Sequence, residues 1–595
     1  MIQAALFNLL PLSFATMRCK LGEVLRPCVP ILLLMGLLAM GGAPPAFGQV
    51  PTIPGGADIN RVQPLPEKSL PTLVPKKPTK TELGTLPVPE GVNKISFQLK
   101  AVQVDGVTVF PQQEIAQLYE ASIGQKVSLD LVWELANRIT EKYRNAGYFL
   151  SRAYVPAQKV EEGIITIQVV EGYIETVEWE GGSAKESVSS VAKSSVVQKL
   201  IEELKAVRPL NAEVVESYLL RLNDLPGVSF RALIKPSTDA DIYSGATVLV
   251  LTPTKKDGKG ELRFSNNGSR FLGPLQANVT FEDSFLPLQQ SFVSLLSTVP
   301  SEELRFGSVG HSIVLSPRWV LGLRAGYTGA QPGAGLNDFD IRSTSKDLGA
   351  ELSYKYIRQR TENLDFGMGI DSKATDSDLY GHSSPLVRDK ARALRGSISY
   401  NTLDRWNGQH EVTTKLSQGL SIMEGSRQGD RNLSRGTQAN PAFSKAEFSY
   451  KRQQVIDDQY LLTNQLAGQW ASDPLLVSEE FGYGGSQLGR AYDPSEITGD
   501  HGIVGGVELR YRGFSPLRGF SPDPFVFYDM GKLWNKDRDG QNPLAASTGL
   551  GLALSNDEGF SGSMTMAFPL IRGIGDPLYG PPRYPRLMFE ANQKF

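Results

Sequence analysis

The sequence predicts two small α+β modules followed by an all-β transmembrane barrel of about 16 antiparallel strands. Three observations carry this. A helix–strand–strand order recurs at a spacing of about 80 residues between positions 93 and 255. From about residue 259 onward, short segments alternate apolar with polar residues, and the polar face is built of Arg, Glu, Ser and Gly. Past the N-terminus no apolar run reaches about 18 residues, so a membrane would have to be crossed by strands.

Residues 1–48 read as an export signal. The apolar run from Val29 to Met40 has signal-core length, Arg18, Lys20 and Arg26 precede it, and Ala46 and Gly48 supply small residues for cleavage. A membrane anchor would need a longer run. Met17 is a second candidate start. Both cysteines, Cys19 and Cys28, fall inside this segment, so cleavage after Gly48 leaves a chain without disulfide or thiol chemistry. Residues 49–92 are rich in Pro, Lys and Thr ("LPEKSLPTLVPKKPTKTELGTLPVPE") and read as an extended linker.

In the first module, 93–172, Val132, Leu135, Ala136, Ile139 and Tyr143 share one helical face, Gly147 is a stop, and Ile165, Ile167 and Val169 alternate. In the second, 173–255, Asn211 is a candidate N-cap for a helix that groups Val215, Tyr218, Leu219 and Leu222. Small sheets with free edges suit capture of an extended peptide by strand addition, and plain spacers are the bland alternative.

The barrel region is 256–595. Trp319, Leu321, Leu323, Ala325 and Tyr327 share a face opposite Gly322, Arg324, Gly326 and Thr328. Leu394, Ile398 and Tyr400 stand opposite Arg395, Ser397 and Ser399. Val507, Leu509 and Tyr511 stand opposite Glu508, Arg510 and Arg512. Apolar residues toward lipid, polar ones toward the lumen and aromatics near strand ends distinguish a membrane barrel from a soluble sandwich. The last strand, "RLMFEANQKF", puts Leu587, Phe589, Ala591 and the terminal Phe595 on one face.

Chemistry of other kinds finds no purchase. The net charge is −2 with a pI near 6.2, which gives no field for nucleic acid. Four scattered histidines lack zinc spacing, no phosphate-binding G-x-x-x-x-G-K-[ST] loop is present, and no catalytic triad stands out. No enzyme, metal or cofactor is expected. One stretch resists the strand pattern: "GGSQLGRAYDPSEITGDHG", 484–502, sets Arg490 among glycines and acids. Asp493, Glu496 and Asp500 do not follow the order of an EF-hand calcium loop.

With its parts in this order, the chain resembles the two-partner secretion outer-membrane transporters of the ShlB/FhaC/HecB haemolysin secretion/activation family, also called TpsB. The likeness spans nearly the whole mature chain, and its α+β modules would be periplasmic POTRA domains. The family's Arg-Gly-Tyr or Arg-Gly-Phe loop tip corresponds to Arg490, Ala491 and Tyr492, with alanine in place of glycine. If that position needs a positive φ, alanine costs about 1 kcal/mol. The family's Phe-x-Asp-x-Gly motif corresponds to Phe527, Asp529 and Gly531 in "FYDMG". The resemblance implies a loop folded into the barrel, an Arg490–Asp529 pair, and Phe595 as a signal to the barrel-assembly machinery. It also implies a monomer in outer-membrane lipid that exports a TpsA-like β-helical adhesin or haemolysin without ATP. An insertase of the same superfamily is the alternative. Relatives carry an N-terminal plug helix; in "GGADINRVQPLPEK", Pro64 and Pro66 limit any such helix to about two turns.

Overall fold

The helical face read from the sequence is the one the first module buries. In the computed structural model, α2 (Leu129–Asn145) buries Val132, Leu135, Ala136, Ile139 and Tyr143. They pack on Ile165, Ile167 and Val169 of the central strand β5. The structure describes residues 57–61 and 96–595, apart from 161, 181–189, 238–243, 301–302, 380–384, 515–517, 537–542 and 573–584. The export segment and most of the Pro-rich stretch, Pro64 and Pro66 included, lie outside the described residues.

The first module runs β1 (Ser96–Gln98), β2 (Ala101–Asp105), α1 (Gln112–Ala116), β3 (Lys126–Ser128), α2, β4 (Arg152–Tyr154) and β5 (Ile164–Val170). Its sheet has the order β2-β5-β4. The second repeats the plan as β6 (Tyr173–Trp179), α3 (Ser195–Lys205), α4 (Ala212–Asn223), β7 (Val228–Pro236) and β8 (Ala246–Lys255), with sheet order β6-β8-β7. One side chain joins them. Asn211 Oδ1 accepts from Glu213 N at 2.9 Å and caps α4, while its Nδ2 donates to the Ala146 carbonyl at 3.0 Å and caps α2. Gly147, at φ +90°, fits beneath this amide: a Cβ there would lie 2.9 Å from Asn211 Nδ2.

From β9 (Lys259–Ser265) to the strand Arg586–Lys594, 16 antiparallel strands close into a barrel whose last strand pairs with its first. Alternation sets the faces as the sequence predicts. Leu323, Tyr327, Leu394, Ile398 and Leu587 are exposed outward. Inside, Arg324 meets Asp371 at 2.9 Å, and Arg395 meets Asp371 at 2.5 Å. Charges left without such partners in a walled lumen would be costly. Tight turns such as 315–318, 359–361 and 457–459 lie at the module end, and the longer connections such as 420–443 and 472–500 at the other. The terminal Phe595 exchanges two backbone hydrogen bonds with Gly260, at 2.8 and 3.0 Å. Its ring lies over Gly260, where a Cβ would collide with it.

The second module docks on the barrel rim through the end of α4. Asp224 pairs with Lys355 at 2.9 Å and receives two hydrogen bonds of 2.8 Å from Arg358, while Arg221 donates to the Lys355 and Tyr356 carbonyls. Burial alone would raise the Asp224 carboxyl, but the Arg358 hydrogen bonds and the Lys355 charge hold it below its usual value. Its contribution to docking is therefore full above the ordinary Asp range and is lost as pH falls through the lowered value. Asp224→Asn is expected to weaken docking by ~2 kcal/mol. The check is several-fold lower yield of a short bismaleimide cross-link between cysteines introduced at Glu216 and Arg360, which face each other across this contact.

Candidate functional site: the inward loop and its wall

The segment between the strands Tyr460–Ala471 and His501–Tyr511 folds into the barrel instead of away from it. Three buried anchors hold its ends. Glu479 pairs with Arg395 at 2.8 Å and with Lys445 at 2.9 Å. Asp500, fully buried, meets Arg435 at 2.5 Å and accepts from the backbone N–H of Leu475 and Lys536. Arg435 also meets Glu480 at 3.0 Å.

At the tip, every residue of the "FYDMG" face has a physical task. The Arg490 guanidinium carbon lies 4.1 Å from the centre of the Phe527 ring, a cation–π stack. Asp529 Oδ2 is 3.6 Å from Arg490 Nε and accepts from the Arg490 backbone N–H at 3.4 Å. Gly531 leaves room for Tyr483, since a Cβ there would stand 2.5 Å from that ring. Opposite, Gly506 leaves the same room for the Asp529 carboxylate.

The shortest contact of Arg490 is nonetheless with a different acid. Its Nη1 donates to Glu508 Oε2 at 2.7 Å, and Arg510 holds the other Glu508 oxygen at 2.9 Å. The expected Arg490–Asp529 pair is present, and Glu508 extends it to a triad: Glu508 accepts from Nη1, while Asp529 lies beside Nε and also holds the backbone amide. Register explains it: Glu508 stands directly across from Phe527, over which the guanidinium lies, whereas Asp529 stands across from Gly506.

Ala491 is not among the residues with positive φ, so alanine carries no left-handed strain there. The left-handed turn falls two residues earlier, at Gly489 (φ +78°). Tyr492 donates its hydroxyl to the Ala546 carbonyl at 3.0 Å and to that of Ile571. Of the three acids whose order does not fit a calcium loop, Asp493 and Asp500 are engaged by Arg586 and Arg435. Among its described residues the N-terminal segment forms the 3₁₀ turn Ile59–Arg61. Ile59 packs among Phe271, Leu272, Leu304 and Phe306, and Asn60 accepts from Ser345 at 2.8 Å and Thr375 at 2.9 Å. This turn sits in the outer part of the lumen. Below loop and turn, a cavity of about 1730 Å³ opens toward the modules, lined by Lys355, Arg358, Glu411, Lys451, Arg490 and Glu508 among others.

Against known proteins, the model of the haemolysin secretion/activation protein ShlB/FhaC/HecB matches residues 245–554, more than half of the chain. The chain belongs to this family. The ShlB-type POTRA domain model matches residues 97–172. Among curated relatives, the heme/hemopexin transporter protein HuxB of Haemophilus influenzae is 23% identical over 81% of this chain and 85% of its own. The outer membrane transporter CdiB of Escherichia coli is 21% identical over 85% and 83%. The solved CdiB from Escherichia coli superposes with a TM-score of 0.66 at 19% identity, covering 89% of this chain and 94% of that one. CdiB from Acinetobacter baumannii gives 0.57 at 13% identity, covering 98% and 100%. These likenesses show the fold. Together with the family, they make the chain a two-partner secretion outer-membrane transporter with its POTRA region in the periplasm.

Glu508 is not singled out by the sequence pattern, where it is one of several charges alternating on a strand. Its position two residues after a glycine pair, on the strand bordering "FYDMG", is the available signal. Glu508→Ala is expected to loosen the loop by about 3 kcal/mol, as for one partner removed from a buried pair. Gly531→Ala, which drives a methyl into Tyr483, is expected to cost about 1–3 kcal/mol. Both should raise the labelling rate of a cysteine introduced at the exposed Ser486, in a barrel that has no cysteine of its own.

Proposed function

We propose that the chain exports one large unfolded exoprotein of the β-helical adhesin or haemolysin class. The carrying observation is a lumen open toward the modules and filled at its outer end by the 472–500 loop and the Ile59–Arg61 turn. A diffusion pore needs neither feature. A gated conduit for a chain arriving from the periplasm uses both.

In this reading, residues 93–172 and 173–255 are capture modules. The outer strands β2 and β4 in one, and β6 and β7 in the other, offer edges for an extended segment to add as a strand. Charges of both signs, Lys355, Arg358, Glu411 and Lys451 among them, interrupt the apolar parts of the lumen wall and leave an unfolded polypeptide no continuous apolar track on which to stick. The Arg490 tip and the "FYDMG" wall keep the loop inside at rest. The periplasm holds no ATP, so net transport draws on folding of the exoprotein outside the cell. Phe595 is assigned to recognition by the barrel-assembly machinery when the protein itself is inserted.

Cells lacking the chain should accumulate the partner exoprotein in the periplasm and lose it from the surface or medium, with other barrel proteins unchanged. A general fall in outer-membrane barrels would instead identify an insertase. Within the loop, Arg490→Glu and Glu508→Arg should each reduce secretion at least about tenfold, and the double exchange should restore part of it. Normal secretion by both single variants would remove the triad from the mechanism.

A further inference from the structure

On three neighbouring strands the outward face changes from apolar to basic at one level. On Ile341–Arg358, Tyr354, Leu352 and Leu348 give way to Lys346. On Glu362–Leu379, Met368 and Ile370 give way to Ser372 and Ala374, and on Pro385–Leu403, Ile398 and Leu394 give way to Arg392 and Lys390. From Tyr356 to Lys346 the strand climbs about 25 Å, at ~3.4 Å per residue and a tilt of ~40°, which is the height of an outward apolar band. Tyr327, exposed and directly paired with Lys346, is the aromatic residue that such a boundary carries. Lys346 therefore stands where hydrocarbon ends on the side away from the modules.

Register sets these transitions side by side. Lys346 pairs with Ala374, and Ala374 with Lys390; one outward row nearer the hydrocarbon, Leu348 pairs with Ser372, and Ser372 with Arg392. The two small residues make a floor with a lysine on one side and a lysine and an arginine on the other. Strands two apart stand ~10 Å from each other, so these long side chains reach a single anion placed between them. Their charge is little neutralised. Arg392 uses Nη1 on the Lys373 and Ala391 carbonyls, at 3.2 and 2.9 Å, which fixes it on the wall without a carboxylate. Lys390 has Glu424 at 3.7 Å, but that side chain is 90% exposed and the pair is weak. Lys346 makes no ion pair among the described residues. Asp376, in the row above, is taken by Arg388 at 2.9 Å. The outer loop folds back over the same place: Leu420 N donates to the Arg392 carbonyl at 2.8 Å and Ser426 N to that of Lys390 at 3.0 Å, with Ile422 and Met423 exposed between them.

We propose that this place binds a glycolipid of the outer leaflet that carries phosphate on its head: Lys346, Lys390 and Arg392 hold the phosphate over the Ser372–Ala374 floor, and the exposed Leu348, Ile370 and Leu394 below it receive the acyl chains. Lysine and arginine together suit a phosphate, which offers three acceptor oxygens to point charges and to a guanidinium fork alike. The apolar residues directly beneath the cations select a lipid over a free anion, because the cations at this level are reached by a head group anchored in hydrocarbon. Binding spans three adjacent strands and ties their outer ends to the membrane. It depends on the outer-membrane location and not on which exoprotein is carried.

The test is native mass spectrometry of the full-length protein in detergent, titrated with bis-phosphorylated lipid A, with the same lipid stripped of phosphate, and with phosphatidylglycerol. The phosphorylated lipid is expected to bind at least about tenfold more tightly than either of the others. Joint replacement Lys346→Gln, Lys390→Gln and Arg392→Gln should weaken it at least about tenfold. Ser372→Asp, which keeps every cation and puts a carboxylate on the floor, should weaken it as well. Lys532→Gln, which removes an outward cation beside Trp534 on another strand, should bind as the parent protein does. Heat-modifiable gel migration confirms that each variant has a closed barrel. Equal binding of the phosphate-free lipid, or of phosphatidylglycerol, would overturn the assignment. So would parental binding by the folded triple variant, or an equal loss in Lys532→Gln. Displacement of the lipid by an equal concentration of inorganic phosphate would replace it with a free-anion site and overturn it too.

Discussion

Hydrocarbon offers no partner to a peptide group, and this constraint organises the molecule. Each backbone N–H and C=O at membrane depth must be met by a neighbouring strand, so the sheet has to close on itself. Closure produces a lumen, and the alternation of a β-strand then sends half of its side chains into it. Many of those side chains are charged or polar, as suits a water-filled interior. The charges must in turn be matched across the wall, which is why Arg324, Asp371, Arg395, Glu479 and Lys445 form a chain of alternating sign. The inward loop exploits the same currency. It enters carrying Glu479, Glu480, Arg490, Asp493 and Asp500, and each finds the opposite charge on the wall or on a neighbouring loop.

What was legible in the sequence follows from what is local. The buried face of Leu129–Asn145 depends on helical period alone, and its five predicted residues are all buried, with Thr140 beside them. Strand alternation likewise depends on a two-residue repeat, so outward Leu394 and Ile398 and inward Arg395 could be assigned before any fold was known. The inward course of the loop was legible only through the resemblance, since its glycines and acids would suit an exposed connection equally well.

The partners of the loop were not legible, because they depend on register between strands. A shift of two residues between His501–Tyr511 and Ser521–Trp534 would put Arg510 or Gly506 in place of Glu508 beside Phe527, with no change in either strand's pattern. The same holds for Asp493 and Arg586, which lie far apart in sequence and meet only because the barrel is closed. Ala491 is an instructive case. The concern that alanine would strain the tip assumes a left-handed residue there, but the turn spends its positive φ on Gly489, leaving position 491 free to carry a side chain.

The strands Ile341–Arg358 and Glu362–Leu379 take part in the longest ladders of the wall, and both of their ends are occupied. At the inner rim, Lys355 and Arg358 grip Asp224 of the second module. At the outer end, Ser345 and Thr375 hold Asn60. A hydrogen-bonded ribbon of this kind bends and twists readily but neither stretches nor slips without breaking many bonds together. It is a tie-rod running the height of the membrane, with the periplasmic module bolted to its foot and the outer stopper to its head. A pull on the module therefore has a stiff line of force to the stopper, one that bypasses the pairing of first and last strands on the opposite part of the wall.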